Sequence, residues 1–383
     1  MNQSGSMRRV IVPSVMYFGL MCLLWAVLAY LPIYFTDLGF SHFEVSILLS
    51  IFPLASLVLL IPFGIFSDRL PPKVLTTCSI VLFAIFIVGL GQTDTFWGIM
   101  FFFVIGGIGD SLFRISIMSL YYKTLGTTGK GKKLGFLMAF GLFGYGIGPL
   151  LGGYVLTSFN MSFLLWAILL LLTPLFILSF FLQDVEPIKF ELSDYKRDLA
   201  SKEVLVLVVL TFLVALHLGV ERTSFSLFLR KDIGMLEDSI GVMFFIIGVV
   251  VAGLSMLNGF ISDRRTGRGK SLGSLFYVGV FISGLFNISL YFANSFGLVL
   301  TARLLHVFGD SLLMVTRNII VADLFVPERI GGNLGIITTT ITFGTFIGAI
   351  FSGVVPGYVF PFVAVGALAV LAIPPAISVK PEF

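Results

Sequence analysis

Charged residues are scarce in this chain of 383 residues. The 24 Lys and Arg and the 20 Asp and Glu make up 11% of the sequence, whereas soluble domains carry about 25%. Apolar residues make up 57%, and water could not cover the surface that so many would leave on a soluble fold. The composition therefore excludes an ordinary soluble protein and indicates that the chain folds in lipid.

Cysteine and long polar segments are scarce as well. Cys22 and Cys78 both fall inside apolar runs, so they predict neither a disulfide framework nor a metal cluster. The only long connection, residues 184–202, is too short for a soluble catalytic domain. A membrane-anchored enzyme with an aqueous catalytic module is therefore excluded, and we expect the function to lie within the apolar helices.

Apolar runs long enough to cross a bilayer are abundant. A hydrocarbon core about 30 Å thick needs roughly 20 apolar residues in a helix. We interpret the first run as a retained helix rather than a signal peptide, because it is long and contains two prolines. Twelve spans fit, at 10–36, 44–67, 74–92, 95–122, 132–157, 161–183, 203–229, 239–262, 271–293, 296–324, 331–356 and 358–379.

The basic residues predict how these spans are oriented. Of the 24 Lys and Arg, 18 lie in segments on the side of the N-terminus, two lie on the other side and four lie within spans. Loops rich in Lys and Arg stay in the cytoplasm. We therefore expect both termini to be cytoplasmic, in a multi-pass protein of the cell membrane, and the net charge of +4 to set topology rather than to bind nucleic acid.

The two halves of the chain repeat each other. Gly64-Ile-Phe-Ser-Asp68-Arg69 recurs 195 residues later as Gly259-Phe-Ile-Ser-Asp263-Arg264. Gly109-Asp110-Ser111-Leu112 in span 4 recurs 200 residues later as Gly309-Asp310-Ser311-Leu312 in span 10. The sequence thus predicts an all-α membrane protein with a six-helix bundle at 1–183, a cytoplasmic linker at 184–202 and a second bundle at 203–383. Such duplications build alternating-access transporters around a central pathway.

The loop after span 2 and its copy resemble the signature of the major facilitator superfamily, and the resemblance covers essentially the whole chain. That signature, G-x-x-x-D-R-x-G-R-K/R, is matched in part by the first copy and in part by the second. The resemblance implies two six-helix bundles related by pseudo-two-fold symmetry and a cytoplasmic gate at this loop. The matching residues are Gly64, Asp68, Arg69 and Lys73, and then Gly259, Asp263 and Arg264.

The chemistry of that gate can be argued from the residues. An Asp at the cytoplasmic end of a helix can accept hydrogen bonds from the N-terminus of a neighbouring helix, where the helix dipole favours an anion. We therefore expect Asp68 and its copy Asp263 to act as latches on the cytoplasmic side.

Span 5 carries a glycine pattern that is similar to the signature of the family's antiporters. Glycines four residues apart let helix backbones approach closely, and a proline can bend the helix. The resemblance implies export in exchange for protons. Its residues are Gly135, Gly144, Gly148, Pro149, Gly152 and Gly153.

Ionisable residues in the middle part of spans, away from the span ends, are the strongest pointers to the transport site. Each costs at least a few kcal/mol in lipid unless it has a partner or a watery cavity. All of them fall on spans 4, 7 and 10, which with span 1 line the central cavity in the resembled family. They are Asp110, Arg114, His217, Glu221, Arg222, Arg303, His306, Asp310 and Arg317.

Their spacing suggests roles. Asp110 and Arg114, His217 and Glu221, and His306 and Asp310 are each four residues apart and therefore neighbours on a helix. We expect Glu221 and Asp310, followed by Asp110, to carry protons, with the two histidines as relays. The arginines Arg114, Arg303 and Arg317 would serve as counter-charges or bind an anionic group of the substrate, whereas Arg222 points away from Glu221 and suits a structural role.

Three transport hypotheses remain open at this point. The first is a proton-coupled antiporter that exports amphipathic or lipophilic small molecules, the second is uptake or exchange of an organic anion, and the third is transport of a divalent metal. A non-transporting receptor or scaffold would have no need for nine ionisable groups on equivalent helices. A membrane-embedded enzyme is disfavoured because the sequence shows no nucleophile–base or metal-hydrolase motif. We expect a monomer in lipid that uses protons as coupling ion and needs no cofactor and no resident metal.

Overall fold

The computed structural model describes residues 3–57, 59, 60, 63, 70–124, 130–182, 201–325 and 330–380. The gate residues Gly64, Asp68 and Arg69 and linker residues 184–200 lie outside these described residues. Helices are numbered after the spans that they form. Those of the N-terminal half are α1 at Gln3–Leu28 with a short continuation at Leu31–Asp37, α2 at His42–Leu57, α3 at Pro72–Leu90, α4 at Phe96–Thr124, α5 at Lys130–Ser158 and α6 at Met161–Ser179.

The C-terminal half repeats this series. Its first helix, α7 at Lys202–Val220, continues through two wider π-helical turns at Glu221–Phe225 and Phe228–Asp232. Its other helices are α8 at Glu237–Thr266, α9 at Gly273–Ser289, α10 at Phe296–Leu324, α11 at Ile330–Val354 and α12 at Phe360–Leu371 with a short continuation at Ile373–Ser378.

Helix starts follow from local sequence. The Ser41 side chain accepts a hydrogen bond from the Glu44 amide while the Glu44 carboxylate accepts from the amide and hydroxyl of Ser41, which forms a capping box ahead of α2. Asn160 caps α6 and Ser201 caps α7 in the usual way, by accepting from an amide three residues on. Short polar residues thus define where the apolar runs become helical.

The prediction of an all-α membrane fold is confirmed. Among the described residues, eleven helices are long and apolar enough to cross a membrane. The second predicted span is represented by the shorter apolar helix His42–Leu57. Two spans are less regular than expected, because span 1 breaks between Leu28 and Leu31 and span 7 widens into π-helical turns.

Helix packing repeats from one half to the other. In the N-terminal half α1 packs on α5 and α6, α3 on α4 and α6, and α2 on α4. The equivalent pairs α7 with α11 and α12, α9 with α10 and α12, and α8 with α10 form in the C-terminal half. The halves meet where α5 packs on α8 and α2 on α11, so the interface follows the same internal symmetry.

Candidate functional site

A cavity of about 280 Å³ lies between the two halves. Residues of α1, α2, α4 and α5 line one side, and residues of α7, α8, α10 and α11 line the other. Eight of the nine ionisable residues predicted from the sequence line it, and the ninth, His306, is fully buried beside Asp310. The eight are Asp110, Arg114, His217, Glu221, Arg222, Arg303, Asp310 and Arg317.

Glu221 lies where three helices from both halves meet. Arg303 of α10 donates from Nη2 to Glu221 Oε2 at 2.6 Å, and Tyr145 of α5 donates from its hydroxyl to Oε1 at 2.7 Å. The Arg303 guanidinium also lies over the Phe225 ring, 4.7 Å from its centroid. All three polar side chains are buried. The Glu221 carboxylate thus pairs with a cation inside the C-terminal half and is hydrogen-bonded to the N-terminal half through the Tyr145 hydroxyl.

Asp310 collects a second set of partners. The Nε2 atoms of His306 and His217 lie 3.0 Å and 3.3 Å from its Oδ2, and the Ser283 hydroxyl donates to its Oδ1 at 2.6 Å. The two imidazole rings meet edge to face with centroids 5.0 Å apart. A carboxylate and two imidazoles are thus held together between α7, α9 and α10.

One of the contacts expected from the spacing of residues along a helix does not form. His217 and Glu221 lie four residues apart, but Glu221 bonds to Arg303 and Tyr145 while His217 lies against Asp310. The physical reason is that partners on other helices offer stronger interactions, a full positive charge for Glu221 and a carboxylate for His217. The expected neighbours His306 and Asp310 do lie in contact.

Asp110 and Arg114 form a pair within α4. Arg114 Nε donates to both oxygens of Asp110, at 2.9 Å and 2.8 Å. The Arg114 side chain is 25% exposed to the cavity. Because both partners belong to one helix, their separation does not depend on how the helices move.

Two arginines in the cavity have no carboxylate partner among the described residues. Arg222 lies over the Trp25 ring at 5.9 Å from its centroid, and Arg317 Nε is buried with no hydrogen-bond partner among those residues. Both charges therefore face the cavity, and no carboxylate in the described part of the chain pairs with them directly.

Of the two gate motifs, the second is described. Asp263, at the end of α8, accepts the amide N–H of Gly131 at 2.7 Å and that of Lys132 at 2.9 Å. These amides belong to the first turn of α5, where the helix dipole favours an anion. Arg264 is exposed, and Lys73 of the first motif lies over the Phe180 ring at 5.4 Å.

Other contacts join the halves at the same end and at the opposite end. Near Asp263, Lys130 of α5 pairs with Asp323 of α10 at 2.7 Å. At the far end, the Tyr30 hydroxyl lies 2.6 Å from the Pro149 carbonyl oxygen and 3.0 Å from that of Glu237. The Ser226 hydroxyl donates to the Ala29 carbonyl at 2.5 Å. The described residues thus connect the halves on both sides of the cavity.

The glycines of α5 place it against two neighbours. A Cβ atom at Gly144, Gly148 or Gly152 would overlap the backbone of α1, and a Cβ at Gly135 or Gly153 would meet α8. Pro149 lies within α5, and its carbonyl oxygen faces Tyr30. This pattern therefore sets both the packing of the N-terminal half and the interface between halves.

Two participants were missed by the sequence interpretation. Tyr145, which contacts Glu221, lies directly after Gly144 in the glycine pattern of α5, so its place in that motif was an available signal. Ser283 of α9 contacts Asp310, and nothing in the sequence around it marks it out, because serine is common in apolar helices.

Comparison with known proteins decides the family. The family model of the Major Facilitator Superfamily matches residues 14–273 and 207–382. The chain belongs to the Major Facilitator Superfamily. It is therefore a multi-pass membrane transporter and not an enzyme.

Relatives and solved structures agree with this assignment. The transporter is 24% identical over 355 residues to the quinolone resistance protein NorA of Staphylococcus aureus strain MSSA476, covering 88% of each chain. It is 23% identical over 342 residues to the MFS-type transporter MJ1560 of Methanocaldococcus jannaschii, covering 84% of each. The human organic anion transporter MFSD10 shares the fold with a TM-score of 0.71 at 17% identity over 96% of this chain and 99% of that one. The nucleoside transporter NupG also has a TM-score of 0.71, at 15% identity over 97% of this chain and 99% of that one.

Proposed function

We propose that the transporter is a proton-coupled antiporter that exports amphipathic or lipophilic small organic molecules across the cell membrane, with both termini in the cytoplasm. It would work as a monomer by alternating access of the central cavity, with residues 1–183 and 203–383 as its moving bundles. The observation that carries the proposal is the Glu221 carboxylate, shared between Tyr145 of one half and Arg303 of the other.

This arrangement supports coupling for an electrostatic reason. An ionised Glu221 attracts Arg303 and accepts from Tyr145, whereas a protonated one has lost its charge and most of the attraction. Binding of a proton therefore weakens the contact between Glu221 and both partners, and a movement that separates the partners changes the proton affinity of the carboxylate. By linkage, proton binding and the relative position of the halves depend on each other.

Asp310 supplies a second proton acceptor. Its contacts with His217 and His306 form a short path of groups that can each bind and release a proton. Asp310 and His217 line the cavity while His306 is buried. We infer that this set passes protons between the cavity and the interior of the C-terminal half.

The cavity lining favours an amphipathic substrate. Its N-terminal side carries aromatic rings and methionines, which adapt to molecules of different shape. The similarity to NorA, a quinolone resistance protein, over 88% of each chain is consistent with export of such compounds. The side chains concerned are Tyr17, Met21, Trp25, Phe52, Met118 and Met138.

A second candidate function is transport of an organic anion. Arg222 and Arg317 line the cavity and have no carboxylate partner among the described residues, so they could bind an anionic group. The fold shared with a human organic anion transporter is compatible with this candidate.

The test uses proteoliposomes with an imposed pH gradient and a pH-sensitive dye inside. Ethidium serves as the cationic amphiphile and carboxyfluorescein as the anion. Export of amphiphiles predicts proton movement that depends on ethidium and that is lost in Glu221→Gln. The matched control is Glu44→Gln, because Glu44 lies in an exposed capping box outside the cavity and Gln preserves the cap.

Three results would count against the primary proposal. Proton movement with carboxyfluorescein alone would favour the anion candidate, especially if Arg317→Gln abolished it. Ethidium-dependent proton movement that is unchanged in Glu221→Gln would remove Glu221 from the mechanism. Transport of ethidium without any proton movement would exclude proton coupling.

A further inference from the structure

We propose that His217, His306 and Asp310 form a binding site for a divalent transition-metal ion of the zinc class in the C-terminal wall of the cavity. The three residues are buried, and one ligand atom of each lies within 4.8 Å of the others. Two belong to α10 and one to α7, so a bound ion would join these helices directly.

The distances suit a metal ion. Zinc binds imidazole nitrogen and carboxylate oxygen at about 2.0 to 2.2 Å in a tetrahedron, which places neighbouring ligand atoms roughly 3.3 to 3.5 Å apart. Asp310 Oδ2 lies 3.0 Å from His306 Nε2 and 3.3 Å from His217 Nε2. Two edges of the ligand triangle therefore already have nearly the required length.

Hydrogen bonding orients the His306 ring toward the site. His306 Nδ1 lies 2.9 Å from the Ser283 carbonyl oxygen, which can only accept, so Nδ1 carries the hydrogen. In the neutral ring Nε2 then presents its lone pair to the Asp310 carboxylate. Two electron-rich atoms in this position repel each other unless a cation, a proton or a metal ion, lies between them.

The two Nε2 atoms face the same carboxylate oxygen. His217 Nε2 and His306 Nε2 are both buried, and each contacts Asp310 Oδ2, which is itself the third ligand atom of the proposed site. The Ser283 hydroxyl binds Asp310 Oδ1, which leaves Oδ2 directed at the histidines. Outer partners of this kind fix ligand orientation in metal sites.

The donor set selects the class of ion. Two imidazoles and one carboxylate suit zinc, cobalt, nickel and copper, whereas calcium and magnesium need more oxygen ligands. Because Asp310 and His217 line the cavity, a fourth ligand position would face it. Three protein ligands and one open position are usual for an accessible zinc ion.

Occupancy would affect transport, an inference that rests on the proposed function. The ion would hold the same atoms of Asp310 and His217 that we assign to proton transfer. It would therefore compete with the proton and block coupled export, so zinc would act as an inhibitor rather than as cargo.

Binding can be tested without transport. The purified transporter, in detergent and with any oligohistidine tag removed, is titrated with Co²⁺, which absorbs visible light when bound by few ligands. We expect saturation at one Co²⁺ per chain and displacement by Zn²⁺. His217→Gln and His306→Gln should each weaken binding by at least about tenfold.

The chain offers a matched control, because it has three histidines and the one outside the proposed site is His42. His42 lies near Ser224 and Tyr358 at the far end, so His42→Gln should bind Co²⁺ like the unmodified protein. His306→Cys replaces one ligand by a thiolate and should keep binding with a new sulfur-to-metal absorption band. Because Cys22 and Cys78 are present in the unmodified protein as well, a band that appears only in His306→Cys reports the new thiolate.

Three outcomes would overturn the proposal. They are the absence of Co²⁺ absorption in the unmodified protein, binding in His217→Gln and His306→Gln that is as strong as in the unmodified protein, and loss of binding in His42→Gln alone. Failure of the proposed function looks different, since Co²⁺ would still bind while no probe moved protons.

Discussion

The two halves handle charge in different ways. In the N-terminal half, Asp110 pairs with Arg114 on the same helix. In the C-terminal half, Glu221 pairs with Arg303 on another helix, and Asp310 is shared with His217 of α7. The position 200 residues before Arg303 is Phe103, which is fully buried among Phe35, Phe52 and Phe86.

The difference shows that the two copies of a duplicated helix bundle can take different roles in transport. A pair within one helix keeps its geometry when helices shift. The electrostatic energy of a pair between helices changes whenever the helices move relative to each other. Phe103 gives the N-terminal half an aromatic core where its copy has a buried cation. The C-terminal half is therefore the better candidate for coupling protons to movement.

The largest expected contrast is between the loss of Arg303 and the loss of Arg114. Arg303→Met leaves the buried Glu221 without its cation, and breaking such a buried pair costs about 3 to 5 kcal/mol. Arg114→Met breaks a pair whose arginine is 25% exposed to the cavity, so water can reach the remaining carboxylate and the loss of stability should be smaller. Thermal unfolding in detergent compares the two variants.

A second substitution separates charge from packing. The double variant Glu221→Gln with Arg303→Met removes both charges and should recover part of the stability lost in Arg303→Met. Equal losses for Arg303→Met and Arg114→Met would show that the halves do not differ in this respect.

The next contrast concerns proton movement. Glu221→Gln removes an acceptor between the halves and should slow proton-coupled transport by about 100-fold, within the range of a lost proton-transfer group. Asp110→Asn alters a pair confined to α4 and should have a much smaller effect. Initial rates in the proteoliposome assay decide between them, and a greater loss in Asp110→Asn would reverse the assignment of coupling to the C-terminal half.

Close helix packing at glycine should contribute equally to the stability of both halves. A methyl group at Gly148 would overlap the Cys22 carbonyl of α1, and one at Gly348 would overlap the Leu216 carbonyl of α7. Each Gly→Ala change should destabilise the fold by about 1 to 3 kcal/mol. Gly253 has open space around the added atom, so Gly253→Ala should be neutral or stabilising in the same unfolding measurement. If only one of Gly148→Ala and Gly348→Ala were destabilising, the two halves would differ in how their helices depend on glycine for packing.

The smallest expected effect concerns the gate. Asp263→Asn removes the charge that interacts with the first turn of α5, a contribution of about 0.3 to 1 kcal/mol. With spin labels on α5 and α8 at this end, Asp263→Asn should show a larger population of long distances than the unmodified protein. Arg264→Gln is the control, because Arg264 is exposed, and equal distance distributions in both variants would remove the latch role from Asp263.

Much of the fold could be predicted from the sequence because it depends on local pattern. Runs of about 20 apolar residues are dictated by the thickness of the bilayer, and repeated motifs reveal a duplication without any structural knowledge. The contact of Asp263 with the start of α5 follows the same rule, since an anion at the end of one helix favours the N-terminus of a neighbour. The irregular parts of spans 1 and 7 were not foreseen, because helix breaks and π-helical turns depend on tertiary contacts.

The site could be predicted in composition but not in pairing. Scarcity of charge identified the ionisable residues, and eight of them line one cavity. Spacing along one helix suggested that His217 would meet Glu221, whereas their partners come from α5 and α10. Such choices depend on the relative rotation of helices, and a single sequence holds no direct information on that. Ser283 was missed for the same reason, whereas Tyr145 lies within the glycine motif of α5 and could have been noticed there.

The break in α1 has a consequence for how the far end opens. There the Ala29 carbonyl accepts from Ser226, and the Glu237 carbonyl oxygen lies near Tyr30. If the halves separate, the Ala29 carbonyl at the break in α1 loses its partner across the interface, and in a low-dielectric medium an unpaired carbonyl is costly. Opening must therefore be accompanied by wetting of the gap, so the far side behaves as a gate whose equilibrium depends on the activity of water.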